Sequence, residues 1–491
     1  MLQLIENSKQ SPSKTAIIDS DNSYSYQDLL DRSHGICDVL LRDRPDLNEA
    51  RVAFMVSPGI DYVAAQWGIW RAGGIAVPLC ITYPLPSLAY VIEDTHAEYL
   101  IVSPEYVSIL EKYKTDSNIQ FIEINSVFQT GKIDLPEISK DRGAMILYTS
   151  GTTALPKGVL TTHEIIEAQI STLVKAWNWS SGDHILEILP LHHVHGIINV
   201  LCCALWSGAT VQFLNPFHAK AVFRIFEEGK LNVFMAVPTI YFKLISEFER
   251  LPINEQKNLS AALARFRLMV SGSAALPVSV MEKWKEISGH YLLERYGMTE
   301  IGMAISNPYT GERRAGHIGQ PLPNVEIRTV DEDNNIVPDG EPGEIQVKGP
   351  CVFKEYWGKA EATAKSFTED GWFMTGDIAV MEDGYYRILG RDSIDIIKSG
   401  GYKISALEIE EVLRKHTQIQ DCGVVGIPNE EWGELVVAAL VCEDHPDLEE
   451  LNQWMRERMP SYKTPRNYIF IEDLPRNAMG KVTKNDLKKL F

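Results

Sequence analysis

Between about residue 16 and residue 380, short apolar runs alternate with amphipathic stretches. The run Arg51-Val52-Ala53-Phe54-Met55-Val56 is followed by a helical pattern over residues 62–72, and repetition of this pairing predicts an α/β fold. A second run, Ala144-Met145-Ile146-Leu147-Tyr148, predicts a strand that empties into a loop of Gly, Ser, Thr and Pro. A helix is expected after that loop. Thr161 and Glu164 have the spacing of a capping box there, and Ile166, Ile170, Leu173, Val174 and Trp177 fall on one face.

The pattern changes after Gly390-Arg391. A helix is predicted over residues 406–416, entered by Ser405 and Glu408, then strands at 423–427 and 436–441, a helix at 448–459 and a strand at 468–471. Taken together, the pattern predicts a large N-terminal domain, 1–391, of several subdomains with mixed sheets and helices. A small α+β domain, 392–491, is expected after a boundary near residues 391–395. No internal repeat is visible.

Length supports that division, because 491 residues exceed what one hydrophobic core usually holds. The net charge of −19 repels polyphosphate and anionic membranes at long range, which argues against nucleic acid as a partner. Phosphates would have to be met by a few local cations. The seven cysteines are scattered and never spaced Cys-x-x-Cys, which fits a reducing compartment rather than a disulfide framework or thiolate zinc site. The N-terminus lacks a basic segment followed by an apolar run, and no stretch of about 18 uncharged apolar residues occurs. A cytoplasmic protein without membrane insertion is expected.

Candidate chemistry begins in the loop after Tyr148. Thr149, Ser150, Gly151, Thr152, Thr153 and Lys157 place hydroxyls, backbone amides and one mobile cation in a turn that can face phosphate oxygens. The order Gly-x-x-x-x-Gly-Lys-Ser/Thr is absent, so this is not a Walker A loop. An ordinary surface turn is the alternative for the segment alone. Further on lie His192-His193-Val194-His195, a possible metal cluster if a further ligand joined it, and Ser271-Gly272-Ser273-Ala274, whose small residues admit close backbone approach.

The loop resembles the phosphate-binding loop of the adenylate-forming superfamily, which includes acyl-CoA synthetases, peptide-synthetase adenylation domains and firefly luciferase. Later segments resemble that family's motifs in the same order and span nearly the whole chain. The resemblance implies ATP, Mg²⁺ and coenzyme A as cofactors. It implies that His193 lies beside the acyl carbonyl, that Ser273 and Ala274 border adenine and acid, and that Tyr296 stacks on adenine beside Gly297. By the same resemblance Thr299 bonds the α-phosphate and Glu300 holds Mg²⁺, with Thr152 as a second metal contact. Asp377 and Arg391 would hold the ribose, and Lys481 would be the adenylation lysine. The small domain would be mobile, turning about Asp392 or Ser393 to bring Gly400 and Gly401 to a thiol tunnel. One residue more than the common spacing separates Arg391 from those glycines, which leaves the pivot open.

Where the family commonly has a small residue before the stacking tyrosine, this chain has Arg295. A guanidinium is costly to bury against an alkyl tail but pairs with a second carboxylate. The segments 189–196, 233–241 and 294–303 resemble a malonyl-CoA and methylmalonyl-CoA synthetase subgroup, implying a small dicarboxylic acid held by Arg295 with help from Lys243 and Ser273. An ion pair of Arg295 with Glu294 or another neighbouring carboxylate is the structural alternative. The expected activity is an AMP-forming acid:CoA ligase. The rivals are a short- or medium-chain monocarboxylate ligase, an adenylating enzyme that loads a carrier protein in trans, and a silent ATP- or acyl-binding protein on the same scaffold.

Overall fold

A computed structural model describes residues 2–20, 22–42, 44–115, 118–126, 134–149, 156–400, 402–477 and 480–491. Three sheets build a large N-terminal domain and a fourth builds a smaller C-terminal one. The first sheet runs, in spatial order, Gln320–Pro321, Gly302–Ser306, Leu293–Met298, Leu268–Ser271, Val233–Ala236, His184–Glu187, Thr210–Phe213, Thr15–Asp19 and Asn22–Ser25. Its middle strands are parallel. Accordingly they read as apolar runs without alternation: Val233, Phe234, Met235 and Ala236 are all fully buried.

The second sheet runs Glu355–Tyr356, Lys157–Thr162, Gly143–Thr149, Ile75–Pro78, Arg51–Met55, Tyr99–Val102 and Gln120–Glu123. The helix Ile60–Arg71 packs between the two large sheets' cores with Trp67 and Trp70 almost wholly buried. The third sheet is antiparallel: Glu326–Val330, Gly343–Lys348, Phe373–Glu382 and Tyr385–Arg391. The fourth runs Tyr402–Ser405, Ile396–Ser399, Gly433–Val441 and Asp421–Asn429, with Asn467–Phe470 also pairing with Gly433–Val441.

Three local expectations need correction. The phosphate loop is followed by a strand, Lys157–Thr162, which pairs antiparallel with Gly143–Thr149, and only then by the helix His163–Ala176. Its cap is Thr162, one residue later than expected: the Thr162 hydroxyl accepts from the Ile165 amide at 3.2 Å, because Thr161 is still in the sheet. The helices expected at 406–416 and 448–459 end earlier, at Ala406–Leu413 and Leu448–Arg456. Pro460 disfavours helical geometry at the residue before it. Among the described residues no helix is long and apolar enough to cross a membrane.

Candidate active site

Four parallel strands of the first sheet end on one side, and the chain leaving each carries polar groups. Leu268–Ser271 leads into Gly272-Ser273, His184–Glu187 into the histidine loop, Val233–Ala236 into the helix Pro238–Glu249, and Leu293–Met298 into Thr299-Glu300. Carboxyl ends of parallel strands are where α/β proteins collect ligands, since the chain there is free of sheet pairing.

On one flank, Glu300 is 5% exposed and accepts the Tyr356 hydroxyl at 2.9 Å. Burial pushes its carboxyl above the usual range, opposed by that hydrogen bond and by the Arg391 and Lys157 charges. Lys157 lies over the Tyr356 ring at 4.6 Å and pairs in the sheet with Thr149, so the phosphate loop springs from a fixed two-residue base beside Glu300. Across the site the Tyr296 hydroxyl donates to Asp377 at 2.7 Å, and Arg391 Nε reaches the other Asp377 oxygen at 3.2 Å. Arg391 also donates to the Thr375 carbonyl at 3.0 Å, which fixes its plane. Gly297 is required sterically: a Cβ there would stand 2.1 Å from the Gly302 carbonyl oxygen.

On the other flank lies Arg295, 3% exposed, its guanidinium lying over Gly272, where a Cβ would come within 2.6 Å of Arg295 Cζ. Among the described residues its one polar contact is the Ser273 hydroxyl, accepting from Nη2 at 3.4 Å, and Nε has no hydrogen-bond partner. Among the described residues no carboxylate lies within ion-pair distance of it. Burial pulls its pKa down to about 9, with Glu294 opposing. The Ser273 hydroxyl in turn meets His195 Nδ1 at 3.1 Å, and Ser273 adopts a left-handed backbone, φ 73°. His195 is buried and held neutral, by burial first and then by the neighbouring Arg295 charge and His193. His193 packs on His192 with ring centres 3.9 Å apart, and burial lowers it to about 4. The Nε2 atoms of both His193 and His195 lack partners.

The C-terminal domain contributes a hairpin turn. Lys481 is exposed, its amide donating to Asn477 Oδ1 at 3.0 Å, and Gly480 takes φ 76° so close to the large domain that a Cβ would be 2.8 Å from Thr239 Oγ1. Gly400 donates its amide to the Trp432 carbonyl at 2.8 Å and takes φ 56°. Asp392 and Ser393 lie in the turn between Arg391 and Asp395.

The chain as a whole has counterparts among known proteins. The family described as AMP-binding enzyme matches residues 4–357, and its C-terminal domain matches residues 408–481. The chain belongs to the AMP-binding enzyme family. A mitochondrial malonate–CoA ligase of Bos taurus is 44% identical over 96% of this chain and 88% of its own length. The ATP-bound structure of MatB from Rhodopseudomonas palustris superposes with a TM-score of 0.92 at 31% identity, covering 100% of this chain and 98% of that one. A malonyl-CoA ligase ternary product complex with methylmalonyl-CoA and AMP bound gives 0.69 at 33% identity, covering 95% and 97%.

Within this AMP-binding enzyme the fold gathers Thr149, Lys157, Tyr296, Gly297, Thr299, Glu300, Asp377 and Arg391 on the first flank and His193, Ser273, Ala274 and Arg295 on the second. Lys243 borders the site only through its helix. It is exposed on the helix Pro238–Glu249, one turn beyond Thr239, because Tyr241, Leu244, Ile245 and Phe248 take the buried face. Ser150, Gly151, Thr152, Thr153 and Gly401 lie outside the described residues. Sequence reasoning missed Tyr356 and His195 as site residues. Tyr356 sits on a two-residue strand and carries no local signal, whereas His195 was visible two residues beyond His193.

Proposed function

We propose that this protein is an ATP-dependent malonate–CoA ligase. It forms malonyl-adenylate with release of pyrophosphate, then transfers the malonyl group to the thiol of coenzyme A with release of AMP. The observation that carries the acid's identity is Arg295: a guanidinium 3% exposed, with one neutral side-chain contact and an unpartnered Nε, is a charge awaiting a carboxylate. The malonate–CoA ligases and MatB structures among its relatives support the same reading.

In this reading Arg295 and Ser273 bind the distal carboxylate, and neutral His193 and His195 line the pocket without adding charge. The proximal carboxylate attacks the α-phosphorus of ATP. Tyr296 stacks on adenine, Asp377 and Arg391 take the ribose hydroxyls, Thr299 meets the α-phosphate, and Lys157 meets the β- and γ-phosphates. Glu300 fits a Mg²⁺ contact: a buried carboxylate beside a lysine and a phosphate loop is the donor set that Mg²⁺ shares with nucleotide oxygens, and the ion would neutralise charge on the phosphates. Lys481 bridges the proximal carboxylate and the α-phosphate, where charge builds as pyrophosphate leaves. The domains divide at 391/392. The small domain then turns about Asp392 or Ser393, withdrawing Lys481 and presenting Gly400 and Gly401 to the incoming thiol. The thiol sulfur forms a bond to the malonyl carbonyl carbon as the bond to AMP breaks. Seven free cysteines fit a cytoplasmic address for this chemistry.

The test is pyrophosphate release with ATP, Mg²⁺ and coenzyme A across malonate, methylmalonate, succinate, acetate, butyrate and octanoate. Malonate or methylmalonate should exceed the monocarboxylates by two orders of magnitude or more, since a monoacid leaves the buried guanidinium unpaired. Preference for butyrate or octanoate would sink the dicarboxylate reading and leave the adenylating chemistry standing. Thioester formation with coenzyme A alone separates this reading from carrier-protein loading in trans.

A further inference from the structure

The small domain contains a chain of alternating charges that neither half-reaction uses directly. Asp395 follows the pivot segment, and its Oδ2 accepts the Arg391 amide at 3.1 Å. Its Oδ1 meets Lys484 Nζ at 2.7 Å, and Lys484 Nζ also meets Glu410 Oε1 at 2.8 Å. The other Glu410 oxygen faces Arg414 Nη2 at 3.4 Å, and Arg414 Nε faces Asp421 Oδ1 at 3.3 Å. Asp421 Oδ2 then takes Arg476 Nη2 at 2.6 Å, and Arg476 Nη1 donates to the Gly480 carbonyl at 2.8 Å. The chain thus starts at the hinge and ends on the carbonyl directly before Lys481, with Lys484 as a link three residues beyond it.

Lys484 and Glu410 are 7% and 4% exposed. Apolar residues there would fill the same core at less electrostatic cost, so a buried ionic chain is weak evidence of a purely stabilising role. What it does provide is fixed geometry. Each link is directional, and together they reach the hinge, which the other anchors of the Lys481 hairpin do not: the Arg476–Val482 bridge, the Thr483 amide on the Pro475 carbonyl at 2.8 Å, Asn477 within the turn, and Thr239 of the large domain against Gly480.

We propose that this ion chain positions Lys481 for adenylation, with Asp395, Lys484 and Arg476 as positioning residues that tie the lysine's hairpin to the hinge. The proposal rests on the reading of Lys481 as the adenylation lysine. Rotation about residues 392–393 would carry the chain away with the small domain, so its integrity bears on acyl-adenylate formation and not on thiol attack.

The experiment measures the two half-reactions separately in the full-length protein. Adenylation is read as malonate-dependent exchange of pyrophosphate into ATP, and thiol transfer as malonyl-CoA formation from supplied malonyl-adenylate. Arg476→Met, at the exposed end of the chain, and Lys484→Met, at its buried centre, are compared with Lys481→Ala. Because misplacement of a reacting group by about 1 Å costs on the order of 100-fold, Arg476→Met should lower exchange about 10- to 100-fold. Thiol transfer should stay within about two-fold and the melting temperature within a few degrees. If Lys484→Met does not fold, Arg476→Met still decides. Equal loss in both half-reactions, or none in either, while Lys481→Ala loses exchange alone, overturns the ion-chain proposal and leaves the lysine's role intact. If Lys481→Ala itself keeps full exchange, the lysine reading fails and the proposal falls with it.

Discussion

Replacing Arg295 with methionine should make the ligand-free protein more stable while destroying its malonate activity. A guanidinium whose pKa burial pulls down to about 9 has lost several kcal/mol of charge stabilisation, at about 1.4 kcal/mol per pH unit. The sign follows from which form burial disfavours. The folded state holds this proton less well than the unfolded chain, so the cost is fully present below about pH 9 and fades as pH rises above it towards the ordinary arginine range. Methionine approximates the stem but not the head and leaves some of its space unfilled, so a net gain of roughly 1–3 kcal/mol is expected. In a melt at pH 7 without ligand this is a rise of a few degrees. Malonate added on top of ATP should raise the melting temperature of the native protein further and leave that of Arg295→Met where ATP alone puts it. Pyrophosphate release with malonate should fall at least 100-fold. A variant that melts several degrees lower, or keeps malonate turnover within three-fold, would refute the claim that Arg295 stands unpaired for a substrate carboxylate.

Tyr356→Phe removes the hydroxyl that Glu300 accepts at 2.9 Å. Losing that orienting bond costs roughly 1–3 kcal/mol, and the Mg²⁺ concentration for half-maximal pyrophosphate release should rise about ten-fold with malonate KM unchanged. Tighter Mg²⁺ dependence would mean the hydroxyl competes with the metal. Gly297→Ala drives a methyl to 2.1 Å from a backbone oxygen. Destabilisation of roughly 3–5 kcal/mol, read by thermal melting, should accompany loss of nucleotide binding, and an unchanged melt would contradict the geometry. Acid should unfold the protein. His163, His184, His192, His193, His195 and His290 are all held below the usual histidine range by burial, so they take up protons on unfolding as the pH falls below about 6.5. Glu187, Glu294, Glu300 and Glu411 are raised by burial and oppose them in smaller number. The net uptake lowers stability as the pH falls, by roughly 1.4 kcal/mol per pH unit for each proton, and a melting temperature flat between pH 6.5 and 5 would refute this.

What the sequence made legible was local. The strand before the phosphate loop, the Ser405 cap and the order of motifs all depend on residues within a turn or two of each other. The strand Lys157–Thr162 was missed because Gly158-Val159-Leu160 is too short an apolar run to register beside a strong helical pattern. Tyr356 was missed because its partners, Glu300 and Lys157, lie about 56 and 199 residues away in sequence and meet only through sheet pairing. Lys243 was placed by motif position alone; the apolar spacing of Tyr241, Leu244, Ile245 and Phe248 already turned it outward. The choice between an ion pair and a ligand site for Arg295 was beyond the sequence altogether. Glu294 is adjacent in the chain, and only the strand's alternation, with Glu294 accepting the Leu276 amide at 3.2 Å, takes it away.

That alternation also bears on how acid length is read. Arg295 and Tyr296 are neighbours on the strand Leu293–Met298, with side chains on opposite faces, one over Gly272 and the other against Asp377. The proposed carboxylate reader and the proposed adenine ring are therefore fixed to one rigid backbone, a residue apart at about 3.3 Å rise. Neither can move towards a longer acid without moving the other. Gly272 beneath the guanidinium and the buried His195–Ser273 contact close the remaining freedom on the pocket side. Succinate offers the same two charges as malonate with one methylene more. Bound by its distal carboxylate, it sets the proximal one more than 1 Å from its place at the α-phosphate, a displacement worth on the order of 100-fold in rate. On the proposed reading, charge selects the diacid and the strand selects its length.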